Sequence, residues 1–338
     1  MLASNAMRSL LAKSARSVLF LAIFLAWGGA LRAGAARARL HPRSFVPGET
    51  IGYRLQYSSH IVSNSRGPIY TPETAHRMGL SLDALLRLDV LSVKHVPGPG
   101  GGALTRLRVT YERSDARVQT DAYDPGAEAL EKQYRSLAGR SFTFAIGPNG
   151  RVRDVTGLDR LAPDPRARAA IRDWLRSFAF PAGFWKQGRK PGKKWVNEVP
   201  LDGAPLAGLY WRAVSRYRDN EACPPAPGAP ASIAGETCAA ISTSVETRRR
   251  GSRGHSTPLE YLRQGLRTSG SWHSQANSLS YISLSTGLVT SSTTTETDQM
   301  DFTITSQLSG SSLRYAGQVQ STSQLTLVSL KVPAIPSR

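Results

Sequence analysis

Acidic residues are scarce in this chain: 24 Asp and Glu stand against 43 Lys and Arg in 338 residues, a formal net charge of +19. Such an excess favours contact with anionic surfaces, whether lipid headgroups of a membrane surface or anionic envelope polymers. No nucleic-acid partner is expected, because the basic residues are spread along the chain rather than clustered, and the compartment inferred below holds little nucleic acid. Cysteine is scarcer still, with only Cys223 and Cys238. Without a C-x-x-C pair there is no redox dithiol and no zinc ribbon. The six histidines are scattered and no H-E-x-x-H occurs, which removes the common zinc hydrolases. There is no G-x-S-x-G turn to carry a serine nucleophile. The glycines at Gly98 to Gly102 join two expected strands and offer no helix N-terminus to a phosphate. No catalytic residue, metal ligand or cofactor is therefore expected. Carboxylate pairs at Asp121 and Asp124, or Asp154 and Asp159, leave an acid–base hydrolase as a third-ranked reading.

Long apolar runs are also missing. The longest, VLFLAIFLAW from Val18 to Trp27, has the length of a signal h-region rather than the roughly 20 residues that span a bilayer. Arg8, Lys13 and Arg16 precede it, and Gly28 and Arg32 end it too soon for a membrane anchor. Ala33-Gly34-Ala35 fits the small-x-small cleavage pattern. Residues 1–35 thus read as a signal peptide cut after Ala35, residues 36–47 as a flexible lead, and residues 48–338 as one β-rich domain in the periplasm or outside the cell. The leader carries four positive charges and no negative one, so +19 becomes +15 in the mature chain.

In an exported chain, Cys223 and Cys238 read as a disulfide across the loop PPAPGAPASIAGET. Closing a loop of that size stabilises a fold by about 3 kcal/mol on the chain-entropy model.

What the chain has in abundance is period-two alternation. Ile51, Tyr53, Leu55 and Tyr57 mark a strand over Glu49 to Ser59, and residues 63–80 read as a loop because of Pro68, Pro72 and two glycines. Leu82, Ala84, Leu86, Leu88 and Val90 mark a strand over Ser81 to His95. It returns as Leu104 to Val118, which predicts an antiparallel hairpin. Leu130, Tyr134 and Leu137 place a helix over Ala127 to Leu137. Asn149-Gly150 joins the short runs Phe142 to Ile146 and Val152 to Val155 as a second hairpin. A helix from Asp164 to Pro181 carries Ile171, Trp174, Leu175 and Phe178 on one face. Further strands are Trp195 to Val199, Leu209 to Tyr217 and Cys238 to Thr247. The Ser/Thr-rich final third continues the alternation, with turns expected at Asp298 to Asp301 and Leu308 to Ser312.

The expected fold is mainly β (α+β): about ten antiparallel strands in a single large curved sheet or half-barrel, with two or three helices packed on its concave side. Trp174, Phe178, Trp195 and Trp211 then become either plain core or the lining of an apolar pocket under the sheet.

Three patterns carry a family likeness: F-x-P-G-E-x-x-x-Y at Phe45 to Tyr53, F-T-F-x-I-G-P-N-G-R-V at Phe142 to Val152, and the run PAGFWKQGRKPGKKW from Pro181 to Trp195. They resemble uncharacterised secreted bacterial β-rich proteins that carry a domain of unknown function. The order of elements is also similar to periplasmic lipoprotein carriers of the LolA type. That resemblance implies a non-enzymatic protein holding an acyl chain, lipid or lipoprotein under its sheet, and it transfers no functional residue. The alternative is a structural or partner-binding envelope protein with no small ligand.

Overall fold

The computed structural model describes residues 45–67, 76–96, 102–121, 124–147, 152–162, 168, 190–201, 204–225, 235–251 and 256–333. Eleven strands account for most of them: β1 Thr50–Arg66, β2 His76–Val96, β3 Gly102–Thr120, β4 Ser141–Ile146, β5 Val152–Thr156, β6 Lys194–Pro200, β7 Leu209–Ala222, β8 Thr237–Arg249, β9 Leu266–Ser283, β10 Val289–Ser306 and β11 Ser312–Lys331. All join one sheet in the order β5-β4-β3-β2-β1-β11-β10-β9-β8-β7-β6. Every neighbouring pair is antiparallel. The sheet is open, and the first and last strands meet in its interior, with Leu55 opposite Leu325.

The period-two pattern explains which face is buried. Ile51, Tyr53, Leu55 and Tyr57 on β1 join Leu82, Ala84 and Leu86 on β2, Leu107 and Val109 on β3, and Leu325 and Leu327 on β11 in one cluster. A second cluster ties Ala204, Leu206 and Leu209, at the β6–β7 connection, to Met300, Phe302, Tyr315, Val319 and Ile61 on β10, β11 and β1. In a flat sheet β7 and β10 would stand roughly 14 Å apart, three strand spacings. The connection meets them only because the sheet curls, which makes the buried face the concave one.

Helix α1, Pro125–Arg135, starts where Asp124 accepts a hydrogen bond from the Gly126 amide at 2.7 Å, with Pro125 in its first turn. β4 pairs with β3 only from Thr105 to Thr110. Beyond that point α1 serves the free edge of β3: Val118 N donates to Glu131 at 2.8 Å, and Arg135 donates to the Ala116 carbonyl at 3.0 Å. A single helical turn, α2 (Leu259–Leu262), lies beside β9.

Two expectations need correction. Residues 63–66 and 76–80 are strand, not loop, because the polar end of β1 pairs with β11 up to Arg66↔Arg314. Asp298 to Asp301 is the middle of β10 rather than a turn. Of the helices expected on the concave side, α1 packs Leu130 and Tyr134 against the core of that face, α2 is one turn beside β9, and the helix expected at 164–181 falls almost wholly outside the described residues.

Candidate functional site

The disulfide is present: Cys223 and Cys238 are bonded, 15 residues apart with Cα atoms 4.9 Å apart, joining the end of β7 to the start of β8. An intramolecular disulfide marks a protein that matures in an oxidising compartment outside the cytoplasm.

Of the four aromatics expected to line a pocket, Trp174 and Phe178 lie outside the described residues. Trp195 stands opposite Ser215 and Trp211 opposite Val199, which puts both on the concave face with Tyr217. Both are partly buried; Trp195 packs on the main core, and the Trp211 indole N–H is buried without a hydrogen-bond partner. The carboxylates singled out from sequence serve local structure instead. Asp121 accepts from the Arg77 amide, Asp124 caps α1, and Asp154 and Asp159 are exposed. His60, His76, His95 and His273 are exposed, and among the described residues no group of His, Cys, Asp or Glu could hold a metal ion.

What the concave face does bring together lies on β9, β10, β11 and β1. Glu296 and Asp298, two residues apart on β10, point to the same side. Glu296 stands between Ala276 on β9 and Ser321 on β11, and Asp298 between Ser274 and Val319. Next to Ser321 comes Ser59 on β1, and one row along are Thr294, Ser323 and Tyr57. Asp298, Ser59, Ser321, Ser323 and Tyr57 are all buried, whereas Glu296 sits deep among its neighbours yet keeps some accessible surface.

The polar atoms here are poorly matched to one another. The hydroxyls of Tyr57, Ser59, Ser321 and Ser323 and the Trp272 indole N–H are buried without a hydrogen bond of ordinary geometry. Elsewhere on this face hydroxyls pair across strands, Ser215 with Thr243 at 2.9 Å and Ser280 with Ser292 at 2.9 Å. The shortfall is densest around Glu296, with the Trp211 indole and the Arg249 Nη2 as further cases on this face. Native structures leave few buried polar groups unsatisfied, and a cluster of them asks for an explanation.

Electrostatics point the same way. Burial pushes the Glu296 carboxyl up to about 8, reinforced by the charge of Asp298 and opposed by Ser274 and Ser321. Burial likewise pushes Asp298 up to about 6, opposed by Ser274 and Trp272. Ser274 Oγ reaches Glu296 at 3.5 Å, the limit of a hydrogen bond. Ser321 and Trp272 are close enough to favour the ionised carboxyls without completing good hydrogen bonds to them. Burial also raises the Tyr57 phenol, and the charge of Glu296 contributes. At neutral pH the pair holds about one proton between two carboxyls.

The sequence reading missed this pair. Its signal was Ser292, Thr294, Glu296 and Asp298 at strictly alternate positions leading into Met300 and Phe302, a polar stretch in step with a buried apolar one.

The opposite, convex face carries a shallow groove of roughly 710 Å³ bordered by Gln56, Ser58, Asp83, Asp115, Arg117 and Gln324. Asp83 there already takes both Arg54 and Arg113.

No protein-family model matches the chain, and no curated protein sequence matches it. Among solved structures, a lipovitellin chain described for its lipid–protein interactions aligns with 87% of this chain at 12% identity and a TM-score of 0.42. This chain spans only 27% of its length. A DUF1329 family protein from Desulfovibrio piger aligns with 78% of this chain and 83% of its own, at 9% identity and a TM-score of 0.12. A domain described as an outer membrane lipoprotein-sorting protein, from Vibrio parahaemolyticus, covers 83% and 85% at 10% identity and a TM-score of 0.10. At these scores none of them fixes the fold or function of this chain.

Proposed function

We propose that this chain is an exported, non-enzymatic binding protein that takes an amphipathic ligand against the concave face of its sheet, polar end toward Glu296. The leader at residues 1–35 and the disulfide support export. The observation that carries the binding role is the local group of buried, poorly hydrogen-bonded donors and acceptors around Glu296, on a face that elsewhere is apolar or pairs its hydroxyls across strands. A ligand head bearing hydrogen-bonding groups would satisfy them, and an apolar body would cover the half-buried indoles of Trp195, Trp211 and Trp272.

The test is native mass spectrometry, with lipid extraction, of the full chain purified from its own envelope. A co-purifying amphiphile is expected, lost in Trp211→Ala while the cooperative melt is kept. A clean unliganded mass, together with no binding of added short-chain amphiphiles, would sink the reading and favour a structural or partner-binding role.

A further inference from the structure

We propose that the concave face at Glu296 and Asp298 recognises a cationic headgroup, so that the ligand carries an amine or quaternary ammonium; this rests on the binding role just stated. The case begins with how the chain treats its other carboxylates. In a protein so rich in arginine, those on the convex face are neutralised internally. Asp83 pairs with Arg54 and Arg113, Asp89 and Glu112 with Arg87, Glu198 with Arg250, Glu246 with Arg212 and Arg248, and Asp301 with Arg314. Asp301 is only three residues from Asp298 on the same strand and takes Arg314 at 2.7 Å.

Among the described residues, Glu296 and Asp298 receive no such partner. By the register of the ladders, no Lys or Arg of β9, β10, β11 or β1 points to the concave face. The cation that β8 puts on that face is Arg249, at its end. It gives its Nε to the Ala207 carbonyl at 3.1 Å and is not among the groups that shift either carboxyl. A carboxylate withdrawn from water without a counter-ion is costly, and protonation is its resort when nothing else comes. A ligand cation would replace that proton.

The surroundings select the kind of cation. Trp272 lies beside Asp298 and Tyr57 beside Glu296, and aromatic faces attract ammonium groups. The hydroxyls of Ser59, Ser321 and Tyr57, each at least nine-tenths buried, lie close to one another without a hydrogen bond of ordinary geometry and can accept from an amine or turn toward the carboxyls. A hard divalent ion would want six or more oxygen ligands. Here the strand carbonyls are committed to the ladder, and indoles and apolar side chains fill much of the remaining wall.

The experiment compares decyltrimethylammonium, decyl maltoside and decyl sulfate, each below its micelle concentration, by calorimetry and tryptophan fluorescence on the full mature chain at pH 7.5. The ammonium is expected to bind at least about tenfold more tightly than the uncharged amphiphile, with release of a proton detected by comparing two buffers. Glu296→Gln with Asp298→Asn should abolish the difference in affinity between the ammonium and the maltoside, with a cooperative melt retained. The proton-release measurement needs no variant and stands even if the double variant folds poorly. Equal binding of all three probes, preference for the sulfate, or displacement of the ammonium by millimolar calcium would overturn the cationic headgroup and leave the binding role intact. Failure of all three to bind would overturn both.

Discussion

Ser321 on β11 stands directly across the ladder from Glu296 on β10, buried beside a carboxyl it does not hydrogen-bond well. A sheet built only for stability would place a valine or leucine there, as it does at Leu325 two rungs along. Instead it keeps a hydroxyl and an acid in a face where each is expensive.

That expense sets the pH dependence of stability. Both carboxyls titrate higher in the folded protein than in an unfolded chain, so the folded state binds more protons between about pH 4 and pH 8. Their contribution is complete at acid pH and is lost as pH rises through about 6 and then about 8. Urea unfolding should show stability falling by about 1–3 kcal/mol from pH 5 to pH 9, with Glu296→Gln flattening the decline and gaining stability at pH 8. An unchanged slope in the variant would contradict the assignment.

Removing the disulfide with Cys223→Ser and Cys238→Ser should cost about 3 kcal/mol, since the free loop regains its chain entropy. Circular dichroism should still report the sheet. Hydrogen exchange should quicken at the paired ends near Glu221 and Cys238, and not at Leu55 and Leu325 in the middle of the sheet. Uniform acceleration would mean the bond holds more than its own hairpin.

Gly270 on β9 has φ +129°, and a Cβ there would meet the Asp301 carbonyl oxygen at 2.1 Å. Backbone, not a movable side chain, is in the way. Gly270→Ala should destabilise by about 2–4 kcal/mol, readable as a lower urea midpoint at unchanged slope. A midpoint within experimental error of the parent would show that this β9–β10 contact can relax.

The free edge of β3 gives a fourth prediction. Glu131→Ala strips the Val118 amide of its acceptor and uncovers an edge that could pair with another chain. A loss of about 1–2 kcal/mol is expected, with faster aggregation on heating measured by light scattering. If Glu131→Gln behaves like the alanine variant, the charged acceptor matters rather than the cover.

The strands were legible wherever alternation was strongly apolar, as in the β2–β3 hairpin through Leu82 to Val90 and Leu107 to Tyr111. Helix α1 was legible from Leu130, Tyr134 and Leu137. The polar extensions were not. Ser63, Asn64 and Ser65 look like loop residues until β11 is seen pairing with them, a contact more than 240 residues away in sequence. Asp298 to Asp301 looked like a turn because acids and glutamine favour turns locally; tertiary pairing overrides that preference. The inward acids escaped notice for the same reason, since only a strand assignment puts Glu296 and Asp298 on one side. Trp195 and Trp211 stand on adjacent strands four rungs apart, and nothing in their spacing told which face of the sheet they share.

The order of the strands has a consequence for how the molecule is made. Residues 50–66 must wait for residues 314–331, because β11 completes the centre of the sheet and not its rim. A chain emerging from its N-terminus therefore holds two half-sheets apart, β1 to β5 and later β6 to β10, each with an unfinished inner edge. Closing so distant a pair is entropically slow. The twenty residues of β11, Ser312–Lys331, therefore act as a latch that delays completion of the sheet until nearly all of its strands have been made.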